Sequence, residues 1–292
     1  MRLAAALLLA LGLPSAPPAA AVPAAKAQIE RLIADSHADV AVAWQPLAPK
    51  RGEQILINPK TRFHAASTMK LPVMIELFRQ IDRNRLRLDD RIVVSKQFKS
   101  VVDGSVYTLS DTSDSDDDMY AAVGHAMTLR DLCEHMITKS SNMAANILIE
   151  KLGPKNIQST ANHLGGSGVH VLRGVEDQKA FDKGLNNTTD ATGLFNLLMK
   201  IGRGQAISQK ASEQMDAVLK RQTLNDGIPS GLPAGTVVAH KTGTITGIHH
   251  DAAIVYSKRP YVLVILVRGI NEQPVSAKLM ADITRIVDRL AQ

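Results

Sequence analysis

The spacing of apolar residues predicts both helices and strands in the first third of the chain. Residues 28–36, QIERLIADS, have apolar positions at helical spacing, and the following ADVAVAWQPL favours a strand. The polar turn KRGEQ separates this strand from QILINP, so the two are predicted to pair as a hairpin. The segment from Ser67 to about Asp82 is apolar over most of its surface, with Glu76 as the main exception. Such a segment predicts a helix in the centre of the protein.

The rest of the chain predicts helices followed by strands. Helical patterns run through MTLRDLCEHMITKSSNMAANILIEKLG and TTDATGLFNLLMKIG, with Thr128 and Thr189 as predicted N-caps. Near residue 235 the pattern changes to three β-rich runs, GTVVAHKTGT, DAAIVYS and YVLVILVRG, and a final amphipathic helix. These elements predict an α+β fold, with one antiparallel sheet built from both chain ends and an inserted all-helical lobe. We expect a site in the cleft between the lobes.

The start of the chain has the features of an export signal. Arg2 precedes an apolar run too short to span a bilayer, and small residues offer cleavage sites ending at Ala21 or Ala27. We interpret residues 1–21 as a signal peptide, with cleavage as late as residue 27 as the alternative, and residues 28–292 as one domain. No later run is apolar for long enough to cross a membrane. The mature protein is therefore expected in the periplasm or outside the cell, without membrane attachment.

Composition disfavours several classes of function. Cys133 is the single cysteine, and its neighbours TLRDLCEHMI predict a buried, inert thiol on an apolar helix face. The formal charge is +6, but Lys and Arg are scattered, and 3% of residues are aromatic. Nucleic-acid binding is therefore disfavoured. We expect a monomer that acts on a small molecule.

The stretch FHAASTMKLPVMIELF contains a serine and a lysine at the start of the predicted central helix. Ser67 is placed in the first turn, where free N–H groups and the helix dipole favour negative charge. Lys70 lies on the same helix face and can approach the Ser67 hydroxyl. A lysine desolvated there can accept a proton. The alternative is an N-cap serine with a surface lysine.

Two further motifs carry candidate chemistry. Ser140 and Asn142, in MITKSSNMAAN, lie between two helical runs, where a hydroxyl can relay a proton and an amide can bind a carbonyl. Lys241, Thr242 and Gly243 end a predicted strand, where a cation and a hydroxyl can bind a carboxylate and a glycine permits close approach. Each motif by itself is also compatible with an ordinary turn or cap.

Together, in this order, the three motifs resemble those of the serine β-lactamase and penicillin-binding protein superfamily, most closely the class A β-lactamases. The resemblance extends from about residue 28 to residue 292. It implies that Ser67 is the acylated nucleophile, Lys70 its proton partner and Ser140 the relay to the leaving nitrogen. It further implies that Asn142 contacts the substrate's side-chain amide, that Lys241 and Thr242 receive its carboxylate, and that backbone N–H groups of Ser67 and Thr244 form the oxyanion hole.

Hydrolysis also requires water to attack the acyl-enzyme. The resemblance implies that Glu176, in VLRGVEDQKAF, activates this water and that Arg173 braces its loop. A solvated loop acid is the alternative interpretation of Glu176.

The chain also departs from the class A pattern. Ser141 replaces the usual Asp of the second motif, and Ala180 stands where a water-positioning Asn is usual, with Asn186 or Asn187 as possible substitutes. The stretch HHDAAIV has no counterpart of the usual arginine after Lys-Thr-Gly. These departures leave acylation in place and bring fast deacylation into question.

The remaining polar clusters predict no metal or cofactor site. Asp114, Asp116 and Asp118 alternate like the start of a calcium loop, but Met119 replaces the required Gly. We therefore interpret the acidic insertion, Asp111–Asp118, as a solvated loop. His249 and His250 match no zinc pattern and are predicted to line the cleft beside Lys241.

The resemblance thus implies opening of a β-lactam ring through a Ser67 acyl-enzyme. Two alternatives use the same acylation residues: a D,D-peptidase or related amidase or esterase acting on a peptidoglycan-like substrate, and a penicillin-binding sensor that acylates and stops. A Glu176 remote from Ser67 would favour the peptidase. The altered deacylation loop favours the sensor, whereas the lack of a signalling segment argues against it.

Overall fold

The computed structural model describes residues 21–110 and 116–292. The helices are α1 (Ala21–Ser36), α2 (Lys70–Asp82), α3 (Asp117–Ala121), α4 (Leu129–Thr138), α5 (Asn142–Leu152), α6 (Pro154–His163), α7 (Gln178–Asp182), α8 (Ala191–Gly202), α9 (Gln209–Leu219) and α10 (Gln273–Asp288). The strands are β1 (Asp39–Pro46), β2 (Ile55–Ile57), β3 (Phe63–His64), β4 (Arg91–Val93), β5 (Gln97–Lys99), β6 (Val106–Thr108), β7 (Ala126–Thr128), β8 (Thr188–Thr189), β9 (Val237–Ile245), β10 (Ile248–Tyr256) and β11 (Tyr261–Arg268). Short 3-10 turns cover Ala66–Met69, Ile228–Gly231 and Arg289–Ala291.

A five-stranded antiparallel sheet joins both ends of the chain, as predicted. Its strand order is β2-β1-β11-β10-β9. Alternate residues of β1 face opposite sides: Val40, Val42 and Trp44 pack with α1 and α10, and Ala41 and Ala43 face the helical lobe. This period of two divides the core into two hydrophobic clusters, one on each face of the sheet. Strand β9 forms the sheet edge beside the helical lobe.

Helix α2 lies at the centre of the helical lobe, as its apolar surface predicts. All residues from Lys70 to Phe78 are buried, and the helix packs against α4, α5, α6 and α9. Glu76 is among these buried residues. Hydrogen bonds from Arg79, Gln80 and Thr160 to its carboxylate compensate for the loss of water. Desolvation acts to raise the pKa of Glu76, but the hydrogen bonds outweigh it and hold the pKa below its usual value. The hydrogen bond from Arg79 contributes most to this lowering. Helix α2 thus provides a rigid support for the residues at its N-terminus.

Three local predictions have different outcomes. Thr128 caps α4 by accepting a hydrogen bond from Asp131 N, as predicted. The prediction that Thr189 caps α8 is wrong, because Asp190 accepts the bond from Gly193 N at 2.7 Å. Cys133 is buried as predicted, and burial raises the pKa of its thiol to about 12.

The predicted signal peptide, residues 1–21, lies outside the described residues except for Ala21, where α1 begins. Helix α1 thus starts before the predicted helical segment and buries Ala25 against the sheet and α10. In the two described ranges, no helix is both long and apolar enough to cross a bilayer.

Candidate active site

Ser67 lies in the 3-10 turn that leads into α2. The preceding residue, Ala66, has a φ of 45°, so the backbone turns sharply before the serine. The N-cap alternative for Ser67 is wrong, because Ala65 precedes the turn, Met69 precedes α2, and neither side chain caps. Ser67 is half-buried and faces a cleft.

Lys70 is fully buried directly behind Ser67, so the surface-lysine alternative is also wrong. Its Nζ lies 3.1 Å from Ser67 Oγ and donates to Asn142 Oδ1 at 2.9 Å. It also contacts the backbone oxygen of Ser140 at 2.5 Å and its Oγ at 3.3 Å. The position of the Lys70 amine is therefore fixed by the first and second motifs together.

The second motif forms the junction between α4 and α5, as predicted. Ser140 has a φ of 60°, in the left-handed region, and this conformation carries its hydroxyl into the site. Ser141 is buried and caps α5 by accepting a hydrogen bond from Ala144 N. A neutral hydroxyl therefore does the capping at the position where the resemblance leads one to expect an Asp.

The third motif lies on β9 and meets the first two from the opposite side. Lys241 is fully buried, and its Nζ donates to Ser140 Oγ and Thr242 O, both at 2.9 Å. Burial, with repulsion from Lys70 second, holds the Lys241 pKa well below its usual value, although Asp251 opposes this. Both lysines thus contact the Ser140 hydroxyl.

Gly243 lets β9 pass close to the turn that carries Ser67. A Cβ at this position would lie 3.0 Å from both Thr68 N and Thr68 Cγ2, and 3.1 Å from Ala65 O. The expectation that this glycine permits close backbone approach is therefore supported by the geometry.

The cleft at Ser67 has a volume of about 220 Å³. Of the residues predicted from sequence, Ser67, Asn142, Glu176 and Thr244 line it. The other lining residues are His64, Ala66, Met69, Arg173, Val175, Asp177, Gln178, Phe181, Asn187 and Ile245. Lys70, Ser140 and Lys241 connect to this cleft by hydrogen bonds. The structure thus brings all three motifs together.

Glu176 reaches the cleft from the loop between α6 and α7. Its φ is 63°, and its Oε2 accepts a hydrogen bond from Ser110 N at 3.3 Å. The neighbouring Val175 is held on both sides by Asn146, which accepts from Val175 N at 2.6 Å and donates to Val175 O at 2.9 Å. Glu176 is half-buried and lines the cleft together with Ser67, so it is not remote from the predicted nucleophile.

Arg173 braces this loop, although without a carboxylate partner among the described residues. Its guanidinium donates to Gly174 O and Asn186 Oδ1 and lies over the Phe181 ring. Burial lowers the pKa of Arg173, with Asp177 opposing this. Asn187 uses its amide on the backbone of residues 172 and 173, so this side chain holds the loop.

The prediction that His249 and His250 line the cleft is wrong, because both are buried and neither contacts it. His250 Nε2 bonds His64 O at 3.0 Å, and its Nδ1 accepts from Val267 N at 3.1 Å. His249 Nδ1 bonds Ser276 Oγ of α10 at 2.8 Å. The two histidines therefore hold secondary-structure elements together.

The acidic insertion is described only in part, since residues 111–115 lie outside the described ranges. The solvated-loop interpretation is wrong for Asp116, which is buried and bonds His135 Nδ1 at 2.6 Å. Asp118 forms an ion pair with Lys139. No group of three or more potential metal-ligating side chains occurs within residues 21–110 and 116–292.

Sequence reasoning missed two residues at the site. Asn146, which holds the Glu176 loop, follows Asn142 by one helical turn, and this spacing could have identified it. His64 lines the cleft three residues before Ser67, but no motif marks it. Its place depends on the pairing of β3 with β8, which the sequence pattern does not reveal.

Comparison with known proteins identifies the family of the chain. A model described as the beta-lactamase enzyme family matches residues 24–290. The chain belongs to this family. The resemblance to class A β-lactamases seen in the sequence is thereby confirmed.

Relatives of the family are distant but cover most of the chain. The extended-spectrum beta-lactamase PER-1 of Pseudomonas aeruginosa is 26% identical over 226 residues, which cover 76% of this chain and 70% of PER-1. Beta-lactamase 3 of Bacillus cereus is 29% identical over 243 residues, covering 80% and 72%.

Solved structures of the family have the same fold, which confirms the predicted fold class. An ancestral class A beta-lactamase has 25% identity and a TM-score of 0.77, covering 91% of this chain and 99% of its own. A PBP-A variant, solved as an acyl-enzyme complex with penicillin G, has 25% identity and a TM-score of 0.76, covering 94% and 98%.

Proposed function

We propose that this protein is a class A-like serine β-lactamase that opens the β-lactam ring through an acyl-enzyme on Ser67. The observation that carries the proposal is a hydrogen-bonded chain from Ser67 Oγ through Lys70 Nζ and Ser140 Oγ to Lys241 Nζ. This chain connects a nucleophile to two buried amines and a relay hydroxyl. Each contact is within the reach that proton transfer requires.

Acylation follows from this geometry. Ser67 Oγ attacks the lactam carbonyl and passes its proton to Lys70 Nζ, and Lys70 passes a proton on to Ser140 Oγ as that hydroxyl protonates the departing nitrogen. The backbone N–H groups of Ser67 and Thr244, which both line the cleft, stabilise the oxyanion. Each group returns to its starting protonation once the ring nitrogen has taken the serine proton.

Substrate binding uses the polar groups around this chain. Asn142 binds the side-chain amide of the β-lactam, and Lys241 and Thr242 bind its carboxylate. Desolvation lowers the pKa of Lys241 because burial disfavours the charged amine. A substrate carboxylate that binds beside Lys241 supplies a negative charge, which stabilises the charged amine and favours binding. We further propose that the protein is exported, acts as a monomer in the periplasm or outside the cell, and needs no cofactor.

Deacylation is assigned to water activated by Glu176. The carboxylate lies in the same cleft as Ser67, on a loop whose backbone is fixed by Asn146 and Asn187. It can accept one proton from water as the oxygen attacks the Ser67 ester.

A mass measurement with the chromogenic cephalosporin nitrocefin tests the proposal. The wild type should turn the substrate over, and rapid quenching should reveal an intact-protein mass increased by one acyl group. Ser67→Ala should lose both the adduct and turnover. The matched control is Ser159→Ala, an exposed serine on α6, which should behave as wild type. Labelling of the Ser67→Ala variant would overturn the assignment.

One observation favours a second candidate function, a penicillin-binding D,D-peptidase or sensor that deacylates slowly. Asn146 holds Val175 rather than Glu176, and the Glu176 carboxylate bonds Ser110 N. A carboxylate held in this way activates water less readily, and similarity to the PBP-A acyl-enzyme complex supports this candidate. A wild-type adduct that outlasts many expected turnovers would favour it.

A further inference from the structure

His64 has an unusually fixed backbone beside the nucleophile. It lies on β3 opposite Thr188 of β8, and its carbonyl oxygen is bonded by His250 Nε2 at 3.0 Å. The next residue, Ala65, donates its N–H to Asn187 O at 3.0 Å. The segment at β8 and strand β10 therefore fix the backbone from which the imidazole enters the cleft.

The tautomer of His64 follows from its hydrogen bond. Ala66 N donates to His64 Nδ1 at 3.1 Å, so Nδ1 is an acceptor without a proton. Desolvation first, and the positive charge of Arg173 second, lower the pKa of His64. A neutral imidazole with an unprotonated Nδ1 carries its proton on Nε2.

The Nε2–H group is therefore a donor at the cleft. No hydrogen bond from Nε2 to any residue of the described ranges is present, and the side chain lines the cleft with Ser67 and Glu176. His64 is half-buried, and an N–H group in such a preformed site typically donates a hydrogen bond to an oxygen of the substrate or of a water molecule.

We propose that His64 is a further catalytic residue, whose Nε2–H donates to the water oxygen that attacks the Ser67 ester; this role rests on the proposed function. The water gives one proton to Glu176 as its oxygen forms the bond to the ester carbonyl. The carbonyl–Oγ bond then breaks, the proton that Glu176 accepted from the water is returned to Ser67 Oγ, and the acid product leaves with the second proton of the water. His64 keeps its own proton throughout and fixes the orientation of the water.

Two substitutions separate this role from that of a structural hydrogen bond to Ala66. His64→Asn keeps an acceptor at the position of Nδ1 but lacks a donor that reaches as far as Nε2. His64→Gln loses the near acceptor and extends an amide N–H toward the Nε2 position. We expect acylation to survive in both, with deacylation about tenfold slower in His64→Asn, as loss of one hydrogen bond predicts, and partly restored in His64→Gln.

The measurement is single-turnover quenching with nitrocefin, followed by intact mass. If His64→Asn deacylates at the wild-type rate while His64→Gln deacylates more slowly, His64 has only a structural role and the proposal is overturned. An acyl adduct on the Ser67→Ala variant would instead reject the Ser67 chemistry, and the role of His64 with it. The two failures are thus distinguishable.

Nitrogen NMR of ¹⁵N-histidine-labelled protein without substrate provides a second, independent test. We expect the His64 Nε2–H tautomer at neutral pH, with His64→Gln identifying the resonance by its loss. A proton on Nδ1, or a charged ring at neutral pH, would overturn the proposal whatever the kinetics show.

Discussion

The buried carboxylate in the middle of α2 allows a quantitative test of what holds the site in place. Glu76 accepts four hydrogen bonds, from Arg79 Nε and Nη2 and from Gln80 and Thr160, at 2.6–2.7 Å. Glu76→Gln keeps the size of the side chain but replaces one oxygen with an N–H₂ group that faces existing donors. Two bonds are then lost at about 1.5–3 kcal/mol each.

This arithmetic agrees with the roughly 3–5 kcal/mol typical of breaking a buried ion pair. The Arg79 side chain is 15% exposed and regains some hydration, so we expect the lower end, about 3 kcal/mol in the free energy of unfolding. Thr160→Val removes a single donor and should cost about half as much. Urea unfolding measures both, with the exposed Glu213→Gln as the control, expected to change stability by less than about 0.5 kcal/mol.

The pH dependence checks the cause of this loss. Because the folded pKa of Glu76 lies below its usual value, its contribution is present above the unfolded pKa and is lost as pH falls through the folded pKa. The difference between wild type and Glu76→Gln should therefore shrink under acid conditions. A loss below about 1 kcal/mol at neutral pH, or a difference that grows in acid, would refute the reasoning.

Three further predictions concern the site and the chain start. Glu176→Gln keeps the size of the side chain but removes the base, so the acyl adduct should accumulate while turnover falls; nitrocefin hydrolysis at the wild-type rate would reduce Glu176 to a loop acid. Gly243→Ala places a methyl group 3.0 Å from Thr68 and should slow acylation and lower Tm, which stopped-flow and calorimetry measure; unchanged values would show that β9 can move away without cost. Mature protein should begin at residue 22 by N-terminal sequencing, because cleavage after Ala27 would remove the buried Ala25; an N-terminus at residue 28 would contradict this.

The sequence pattern predicted helices and strands whose residues are buried in a regular way along the whole element. The central helix is apolar on nearly every side, so its burial follows directly from composition. The first two motifs lie at element boundaries, whereas the third lies within β9. Each motif by itself was compatible with an ordinary turn or cap, and the resemblance of all three together to a known family predicted that they share one site.

Other parts depended on contacts between distant segments. Strand β10 begins at Ile248 and includes His249, His250 and Asp251, whose burial interrupts the apolar pattern that marks a strand. Their polarity is accommodated by specific partners, such as His240 for Asp251 and Ser276 for His249. The cleft position of His64 and the left-handed Glu176 likewise follow from loops held by other elements, which no local pattern encodes.

The sheet's connectivity also determines when the protein can fold. Strand β1 lies between β2 and β11, and the pair Asp39 and Arg268 is separated by 229 residues along the chain. A nascent chain that has reached only α9 lacks three of the five strands and leaves the apolar faces of β1 uncovered. Such long-range pairing makes folding slow and postpones it until synthesis is nearly complete. The contact of Lys241 with Ser140 Oγ depends on β9, so the active site cannot be complete in a chain that ends before this strand.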